Sequence, residues 1–123
     1  MPTQTLCGLR ILVVEDEYLL AADLREMLAG AGATVVGPVA TVEEALTLCD
    51  ADEPPVLAVL DIDLDGRSVF PLADALYRHG TRFVFATGYG RADIPHRFHD
   101  MPYLAKPLDP EAVLATLGSL SRR

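Results

Sequence analysis

The chain has 123 residues, enough for one domain with a hydrophobic core, and half of them are hydrophobic, which excludes a disordered chain. The formal net charge of −8 disfavours binding to nucleic-acid phosphates, and no apolar run reaches the ~20 residues of a membrane span. Cys7 and Cys49 form no Cys-x-x-Cys pair and the first residues lack an export pattern, so we expect a cytoplasmic protein with reduced thiols. We predict one domain over residues 1–123, with its core from about 9 to 121 and no output domain.

Short apolar runs rich in β-branched residues recur along the chain, and each is typical of a buried strand in a parallel sheet. They predict strands at residues 10–14, 34–37, 56–60, 82–86 and 103–105. Between and after these strands, apolar residues recur at the spacing of helices with one buried face. They predict helices that begin near Glu17, Thr41, Ser68 and Pro110.

Residues with side-chain oxygens stand where three of these helices should begin. Thr41 and Glu44 match a capping box. Ser68 is placed to cap the third helix, and Asp109 precedes a proline that suits the first turn of the last helix. On the second helix, the face that we expect to be buried consists of Val42, Ala45, Leu46 and Cys49.

The helical pattern is weakest between the fourth and fifth strands. Pro95 interrupts residues 91–100, where Ile94 and Phe98 are the strong apolar anchors. We therefore expect a fourth helix that is short, irregular or mobile.

Strand and helix alternate five times, which predicts an α/β fold with an open parallel sheet, helices on both faces and right-handed crossovers. Ligands bind to such sheets at the carboxyl ends of the strands. Because the topology brings these ends together, we expect the polar residues that stand there to form one site. They are Glu15 and Asp16 after the first strand, Asp61 after the third, Thr87 after the fourth and Lys106 after the fifth.

The acidic residues at these strand ends suit a hard cation such as Mg²⁺ or Mn²⁺, which prefers oxygen ligands. Asp16 and Asp61 are placed to bind the ion directly and Glu15 through water. The backbone carbonyl of Asp63 would complete the protein ligands. Since three crowded carboxylates without a cation would raise at least one pKa, we predict a metal site.

The same strand ends suit a phosphoryl group. The Asp61 carboxylate could attack phosphorus and form an aspartyl phosphate, a reaction that needs mainly positioning and charge neutralisation. Lys106, the only lysine in a chain with nine arginines, supplies a compact positive charge. The Thr87 hydroxyl and the backbone N–H groups of Ile62 and Gly88 would donate hydrogen bonds to the phosphoryl oxygens.

Together these residues resemble the receiver domains of response regulators, and the resemblance covers nearly the whole chain. It implies a doubly wound (βα)5 flavodoxin-like fold with the strand order 2-1-3-4-5, as in single-domain regulators of the chemotaxis type. Asp61 would be the phosphoacceptor. The Mg²⁺ ligands would be Glu15, Asp16 and Asp61. Thr87 and Lys106 would bind the phosphoryl oxygens.

The resemblance also implies a switch. Tyr103 occupies the position of an aromatic residue that turns inward in this family as the Thr87 hydroxyl moves towards the phosphoryl group. The Lys106–Pro107 bond is expected to be cis. Such a protein accepts a phosphoryl group from a histidine kinase and catalyses only its own phosphorylation and dephosphorylation. It would act in two-component signalling or a phosphorelay, through contacts with an unknown downstream protein or phosphotransfer protein.

The run from Phe85 to Gly90 resembles a branch of receivers, common in alphaproteobacteria, that work with HWE-type and related histidine kinases. Two features differ from the commoner family pattern: bulky Tyr89 follows Gly88, and the fourth helix is interrupted by proline. Tyr89 either faces a partner or packs over the site. Asp63, two residues after the expected phosphoacceptor, adds negative charge, whose effect on metal affinity and hydrolysis has no predictable sign.

Three other classes of protein share part of this pattern. Residues 61–65 partly match the Asp-x-Asp-x-Thr/Val signature of haloacid-dehalogenase-type phosphatases, but Asp65 stands in place of Thr or Val. A flavodoxin-like FMN carrier needs hydroxyls and glycines in its first loop, where residues 15–17 are all acidic. The third class is a receiver-like interaction module that is never phosphorylated, which the complete set of site residues disfavours.

Overall fold

The computed structural model describes residues 5–88 and 90–122, which fold around a five-stranded parallel sheet. The strands are β1 (Arg10–Val14), β2 (Thr34–Val39), β3 (Leu57–Asp61), β4 (Asp63–Leu64), β5 (Arg67–Ser68), β6 (Arg82–Thr87) and β7 (Tyr103–Ala105). The helices are α1 (Tyr18–Gly30), α2 (Val42–Cys49), α3 (Phe70–His79) and α4 (Pro110–Ser121). Within the described ranges, no helix has the length and apolar character needed to cross a membrane. Cys7 and Cys49 are free, as predicted.

The main sheet has the strand order β2-β1-β3-β6-β7, and every neighbouring pair is parallel. Counted within this sheet, the order is 2-1-3-4-5, so the predicted topology is confirmed. One face packs against α1 and α4 through residues such as Val13, Leu24 and Leu117. The other face packs against α2 and α3 through residues such as Phe85 and Leu72. β3 is buried along its whole length, as a central parallel strand requires.

The starts of α2 and α3 follow the predicted caps with small differences. The Glu44 N–H donates to the Thr41 hydroxyl oxygen at 3.1 Å. The Glu44 carboxylate accepts from the N–H of Ala40, one residue earlier than in a standard capping box. The N-cap of α3 is Val69, one residue after the predicted Ser68, although the Phe70 N–H donates to Ser68 Oγ at 3.1 Å.

One predicted position on the buried face of α2 is wrong. Leu46 in α2 is 36% exposed, and Leu48 packs against the core instead. The buried face of α2 is centred on Ala45 and Cys49, one turn apart, and Leu46 lies about 100° around the helix from Ala45. Asp109 stands at the N-cap of α4, as predicted, and its side chain makes no capping hydrogen bond.

Between β6 and β7 the chain forms two short 3-10 turns, Arg91–Asp93 and His96–Phe98, in place of a fourth α-helix. Pro95 lies between the two turns. A continuous α-helix is disfavoured here, because a proline inside an α-helix removes a hydrogen bond and clashes with the preceding turn. Ile94 and Phe98 are buried. The predicted irregular structure of this segment and its two apolar anchors are therefore confirmed.

A small antiparallel hairpin of β4 and β5 lies between β3 and α3, where no strand was predicted. Asp65 and Gly66 form its two-residue loop with φ angles of 54° and 82°. Positive φ at both central residues is what a type I′ hairpin turn requires, and Asp-Gly favours it. The Gly66 N–H also donates to the Asp63 carboxylate at 3.0 Å, which stabilises the turn.

Candidate functional site

The register of the parallel strands brings the predicted site residues to one edge of the sheet. The pairing of β1 with β3 ends at Val14 and Leu60, so the next residues on the two chain segments, Glu15 and Asp61, lie side by side. β6 and β7 pair in the same way, which places Thr87 next to Lys106. The Lys106 N–H donates to the Thr87 carbonyl oxygen at 2.9 Å and extends this pairing by one residue. Because β3 also pairs with β6, the four strand ends converge.

Three carboxylates meet at this edge. One oxygen from each of Glu15, Asp16 and Asp61 lies within 4.8 Å of the other two. Glu15 and Asp61 are 3% and 6% exposed, whereas Asp16 is open to solvent. The Glu17 N–H donates to Glu15 Oε2 at 3.1 Å and fixes that carboxylate. The predicted acidic cluster is therefore present, with two members inside the protein and one at the surface.

The side chain of Lys106 lies between the two buried carboxylates. Its Nζ is 3.2 Å from Glu15 Oε1 and 3.4 Å from Asp61 Oδ1. The side chain is 22% exposed, so the ammonium is largely removed from water. Lysine suits this place because its head group is compact, whereas a guanidinium is a wide planar fork.

Burial perturbs the protonation of these groups. Burial raises the pKa of Glu15 to about 7, and the nearby Asp61 carboxylate adds to this, while the Glu17 N–H and Lys106 oppose it. Burial also raises the pKa of Asp61, and contacts with Glu15, Lys106 and the Asp63 N–H oppose this only in part. For Lys106, burial alone would lower the pKa, but Asp61 and Glu15 outweigh it, so that pKa is raised. The two acids therefore retain a proton more readily than isolated carboxyls, and the lysine stays charged.

The residues present fit a divalent cation. Glu15 Oε1 is buried and makes no hydrogen bond to the described part of the chain, although Lys106 Nζ lies 3.2 Å away. When all are ionised, the three clustered carboxylates and one ammonium leave two negative charges. Asp16 is exposed and lines a surface pocket of about 630 Å³, so the cluster can be approached from solvent on the side of Asp16. A hard cation would both coordinate Glu15 Oε1 and neutralise the excess negative charge.

The groups predicted to donate hydrogen bonds to a phosphoryl group lie at the same edge but in different surroundings. Thr87 is 1% exposed at the end of β6. The Ile62 N–H donates to the Ala86 carbonyl oxygen at 3.4 Å, so it would have to leave that acceptor to bind a phosphoryl oxygen. Gly88 is exposed, and a Cβ added there would meet no atom within 4 Å beyond its chain neighbours. Its backbone is therefore open to approach.

The other residues singled out in the sequence are placed as follows. Tyr103 is half-buried in β7, and the peptide bond before Pro107 is cis, as predicted. The Asp63 N–H donates to Asp61 Oδ1 at 3.3 Å, while the role of the Asp63 carbonyl stays a prediction. Tyr89 lies outside the described residues, so both expectations for it stay open.

Two kinds of contact at the site were not predicted. The Glu17 and Asp63 N–H groups each donate to the carboxylate two residues earlier, a turn that acids at strand ends commonly form and that could have been expected. Arg91 places its guanidinium carbon 5.5 Å from the centre of the Tyr103 ring. No pattern in the sequence signals this second contact, because it depends on the path of the irregular segment.

A scan against protein-family models finds no match. Several known proteins are nevertheless similar to the chain. SdrG from Sphingomonas melonis Fr1, known from a solution structure, is 38% identical, with 95% of this chain and 98% of that chain covered and a TM-score of 0.80. A solution structure of SdrG in a BeF3-activated conformation matches with a TM-score of 0.77. The signal receiver domain of a modulated diguanylate cyclase from Desulfovibrio desulfuricans G20 is 28% identical over 91% of this chain and 97% of that chain, with a TM-score of 0.76.

Curated relatives match over part of their length. The phyllosphere-induced regulator PhyR of Methylorubrum extorquens is 33% identical over 111 residues, which cover 88% of this chain and 42% of PhyR. The chain spans about half the length of the curated relatives it matches, between 42% and 49%. The sequence matches to the curated relatives cover 88–93% of this chain, and the structural match to a receiver domain covers 91% of it. The chain belongs to the receiver domains of response regulators.

Proposed function

We propose that this receiver is a phosphorylation-dependent switch that accepts a phosphoryl group on Asp61. The observation that carries the proposal is the pairing of a buried Asp61 carboxylate with the Lys106 ammonium at 3.4 Å, next to a second buried carboxylate. The BeF3-activated conformation of SdrG supports it, since beryllofluoride imitates a phosphoryl group on a carboxylate. In this proposal residues 1–123 form one receiver domain that works in the cytoplasm.

The reaction uses the geometry of the strand ends. An Asp61 oxygen would attack phosphorus as the bond from phosphorus to the donor breaks, and the electron pair of that bond would leave with the donor. Lys106 would neutralise charge on the transferring oxygens, and the Thr87 hydroxyl would donate a hydrogen bond to one of them. The N–H groups of Ile62 and Gly88 would donate to the others, once Ile62 releases its present acceptor.

A Mg²⁺ or Mn²⁺ ion would bind to Glu15, Asp16 and Asp61, with the Asp63 carbonyl as a further ligand. When bound, the ion would supply positive charge beside the transferring phosphoryl oxygens. Two observations support such an ion: Glu15 Oε1 has no hydrogen bond among the described residues, and the pKa of both buried acids is raised. Both reflect the free-energy cost of a buried carboxylate charge, which a bound cation would offset.

Phosphorylation would shift a two-state equilibrium in which Thr87 moves towards the phosphoryl group and Tyr103 turns inward. Tyr103 is half-buried, and the adjacent segment consists of two short 3-10 turns instead of an α-helix, which favours such a rearrangement because 3-10 hydrogen bonds have poorer geometry. The protein would act only on itself and would signal by contact.

The proposed donor is a histidine kinase, of the HWE type if the run from Phe85 to Gly90 is a guide. The proposed recipient is a downstream protein or a phosphotransfer protein. A haloacid-dehalogenase-type phosphatase would need Asp63 as a proton donor, but its carboxylate accepts a hydrogen bond from Gly66 in the hairpin. We therefore place that activity, and a module that is never phosphorylated, among the outcomes of the test.

The test is incubation with acetyl phosphate and Mg²⁺, followed by intact mass spectrometry. We expect one phosphate adduct on the wild type and on Asp65→Asn, a matched change of an exposed acid in the hairpin. Asp61→Asn, or removal of Mg²⁺ with EDTA, should abolish the adduct. Absence of an adduct with every donor and metal would identify an interaction module. Steady release of inorganic phosphate without an adduct would identify a phosphatase.

A further inference from the structure

Arg91 contacts the proposed switch residue and the segment of 3-10 turns at the same time. Its guanidinium carbon lies 5.5 Å from the centre of the Tyr103 ring, within the range of a cation–π interaction. Its Nη1 donates to the carbonyl oxygen of His99 at 3.0 Å. Among the described residues no carboxylate forms an ion pair with Arg91, so its charge is directed at the ring and this carbonyl.

The position of Arg91 in the chain links it to the phosphoryl site. Thr87 ends β6 at that site, and Arg91 follows only four residues later. Gly90, immediately before Arg91, has a φ of 96°, a backbone conformation that a residue with a side chain rarely adopts. Arg91 follows this conformation directly and contacts Tyr103 of β7.

We propose that Arg91 is a positioning residue that holds Tyr103 in its half-buried position and so opposes the inward turn. The proposal rests on the proposed function, since it assumes that Tyr103 moves when Asp61 is phosphorylated. A shift of Thr87 towards a phosphoryl group would displace Arg91, which lies only four residues further along the chain. Arg91 would then lose its contact with the ring, and Tyr103 could turn.

The size of the effect follows from the interaction. An exposed cation–π contact contributes about 0.5–1 kcal/mol. If it stabilises only the unswitched state, its loss raises the population of the switched state, and with it the apparent affinity for a phosphoryl analogue, by about two- to five-fold.

Arg97 supplies a matched control. It is also an arginine of this segment with its guanidinium carbon over an aromatic ring, 4.7 Å from the centre of Phe98. It forms a two-pronged ion pair with Asp74 on α3, at 2.9 and 3.0 Å, and thereby ties the segment to the body of the protein. Arg97→Gln should loosen the segment without touching Tyr103.

The experiment is a titration with beryllofluoride and Mg²⁺, followed by NMR of ring-labelled tyrosine. Tyr103→Phe identifies the Tyr103 resonance by its loss. We expect Arg91→Gln to move this resonance part of the way to its beryllofluoride-saturated position before any addition. It should also lower the half-saturating concentration by about two- to five-fold. Arg91→Lys keeps a cation and a donor and should lie between Gln and wild type.

Three results would overturn the proposal. The first is an unchanged Tyr103 resonance and an unchanged titration in Arg91→Gln. The second is an equal change in Arg97→Gln, which would mean that loosening of the segment is enough. The third is a response of the wild type at other site resonances but none at Tyr103. A wild type that does not respond to beryllofluoride at any resonance would instead overturn the proposed function, and this inference with it.

Discussion

Replacement of Glu15 by glutamine should stabilise the metal-free protein at high pH. Glu15 is 3% exposed, lies beside the buried Asp61 carboxylate and has one oxygen without a hydrogen bond among the described residues. Burial raises its pKa from an ordinary 4.5 to about 7. Glutamine has nearly the same shape but carries no charge, so it removes the cost of ionising this position.

The sign and size of the effect follow from linkage between protonation and folding. A carboxyl whose pKa is raised by folding contributes stability below its unfolded pKa, and this stability is lost as pH rises through the folded pKa. For Glu15 the window runs from 4.5 to about 7. At ~1.36 kcal/mol per pKa unit, the loss is at most about 3 kcal/mol. The neighbouring Asp16 is open to water, and this water screens part of the cost of ionising Glu15. We therefore expect a loss of stability of about 2 kcal/mol.

The assay is urea unfolding followed by circular dichroism, since the chain has no tryptophan. Wild type and Glu15→Gln should be similarly stable at pH 5, and the mutant should be more stable at pH 8 without metal. Mg²⁺ at about ten times its Kd should restore about 1.4 kcal/mol to the wild type but less to the mutant. Glu26→Gln, which removes an exposed charge from α1, is the control. A difference between wild type and Glu15→Gln that stays constant from pH 5 to pH 8 would refute the reasoning.

Three further predictions test other parts of the account. Lys106→Arg keeps the charge but not the compact head group, and phosphorylation by acetyl phosphate, measured by intact mass over time, should slow by about 10²-fold or more; an unchanged rate would show that the reaction does not need the compact head group at position 106. Phe98→Ala removes a buried ring that contacts Phe70, Phe83 and Phe85, and should lower the free energy of unfolding in urea by about 3–5 kcal/mol; a loss below about 1 kcal/mol would show that the segment of 3-10 turns adds little to the core. Gly88→Ala should leave the unfolding midpoint unchanged because a Cβ there has open space, yet slow phosphorylation if the backbone approaches the phosphoryl group; an unchanged rate would contradict that approach.

The main sheet and the position of the site were predictable because both depend on patterns that extend along the chain. The continuous apolar runs in β1 and β3 are buried only when both faces of the sheet are covered. This is the arrangement of a parallel sheet between two layers of helices. The polar residues at the strand ends are then brought together by topology. Glu15, Asp61, Thr87 and Lys106 were found in this way.

The features that were not predicted depend on local rotation or on contacts distant in sequence. Leu46 and Leu48 are both compatible with a buried helix face, and only the packing of α2 on the sheet decides between them. Asp65-Gly66 indicates a turn, but the two-residue strands on either side are too short to show a pattern. The contact of Arg91 with Tyr103 depends on the path of the irregular segment, which no periodicity describes.

The measurement that tests the central claim most directly is the location of the phosphoryl group. An aspartyl phosphate is an acyl phosphate, and borohydride reduces it to homoserine, which marks the modified position permanently. The phosphorylated wild type should be reduced, digested and sequenced by tandem mass spectrometry. We predict homoserine at position 61 and at no other aspartate. Homoserine at Asp16, Asp63 or Asp65, or none after an adduct has been recorded, would contradict the assignment of Asp61 as the phosphoacceptor.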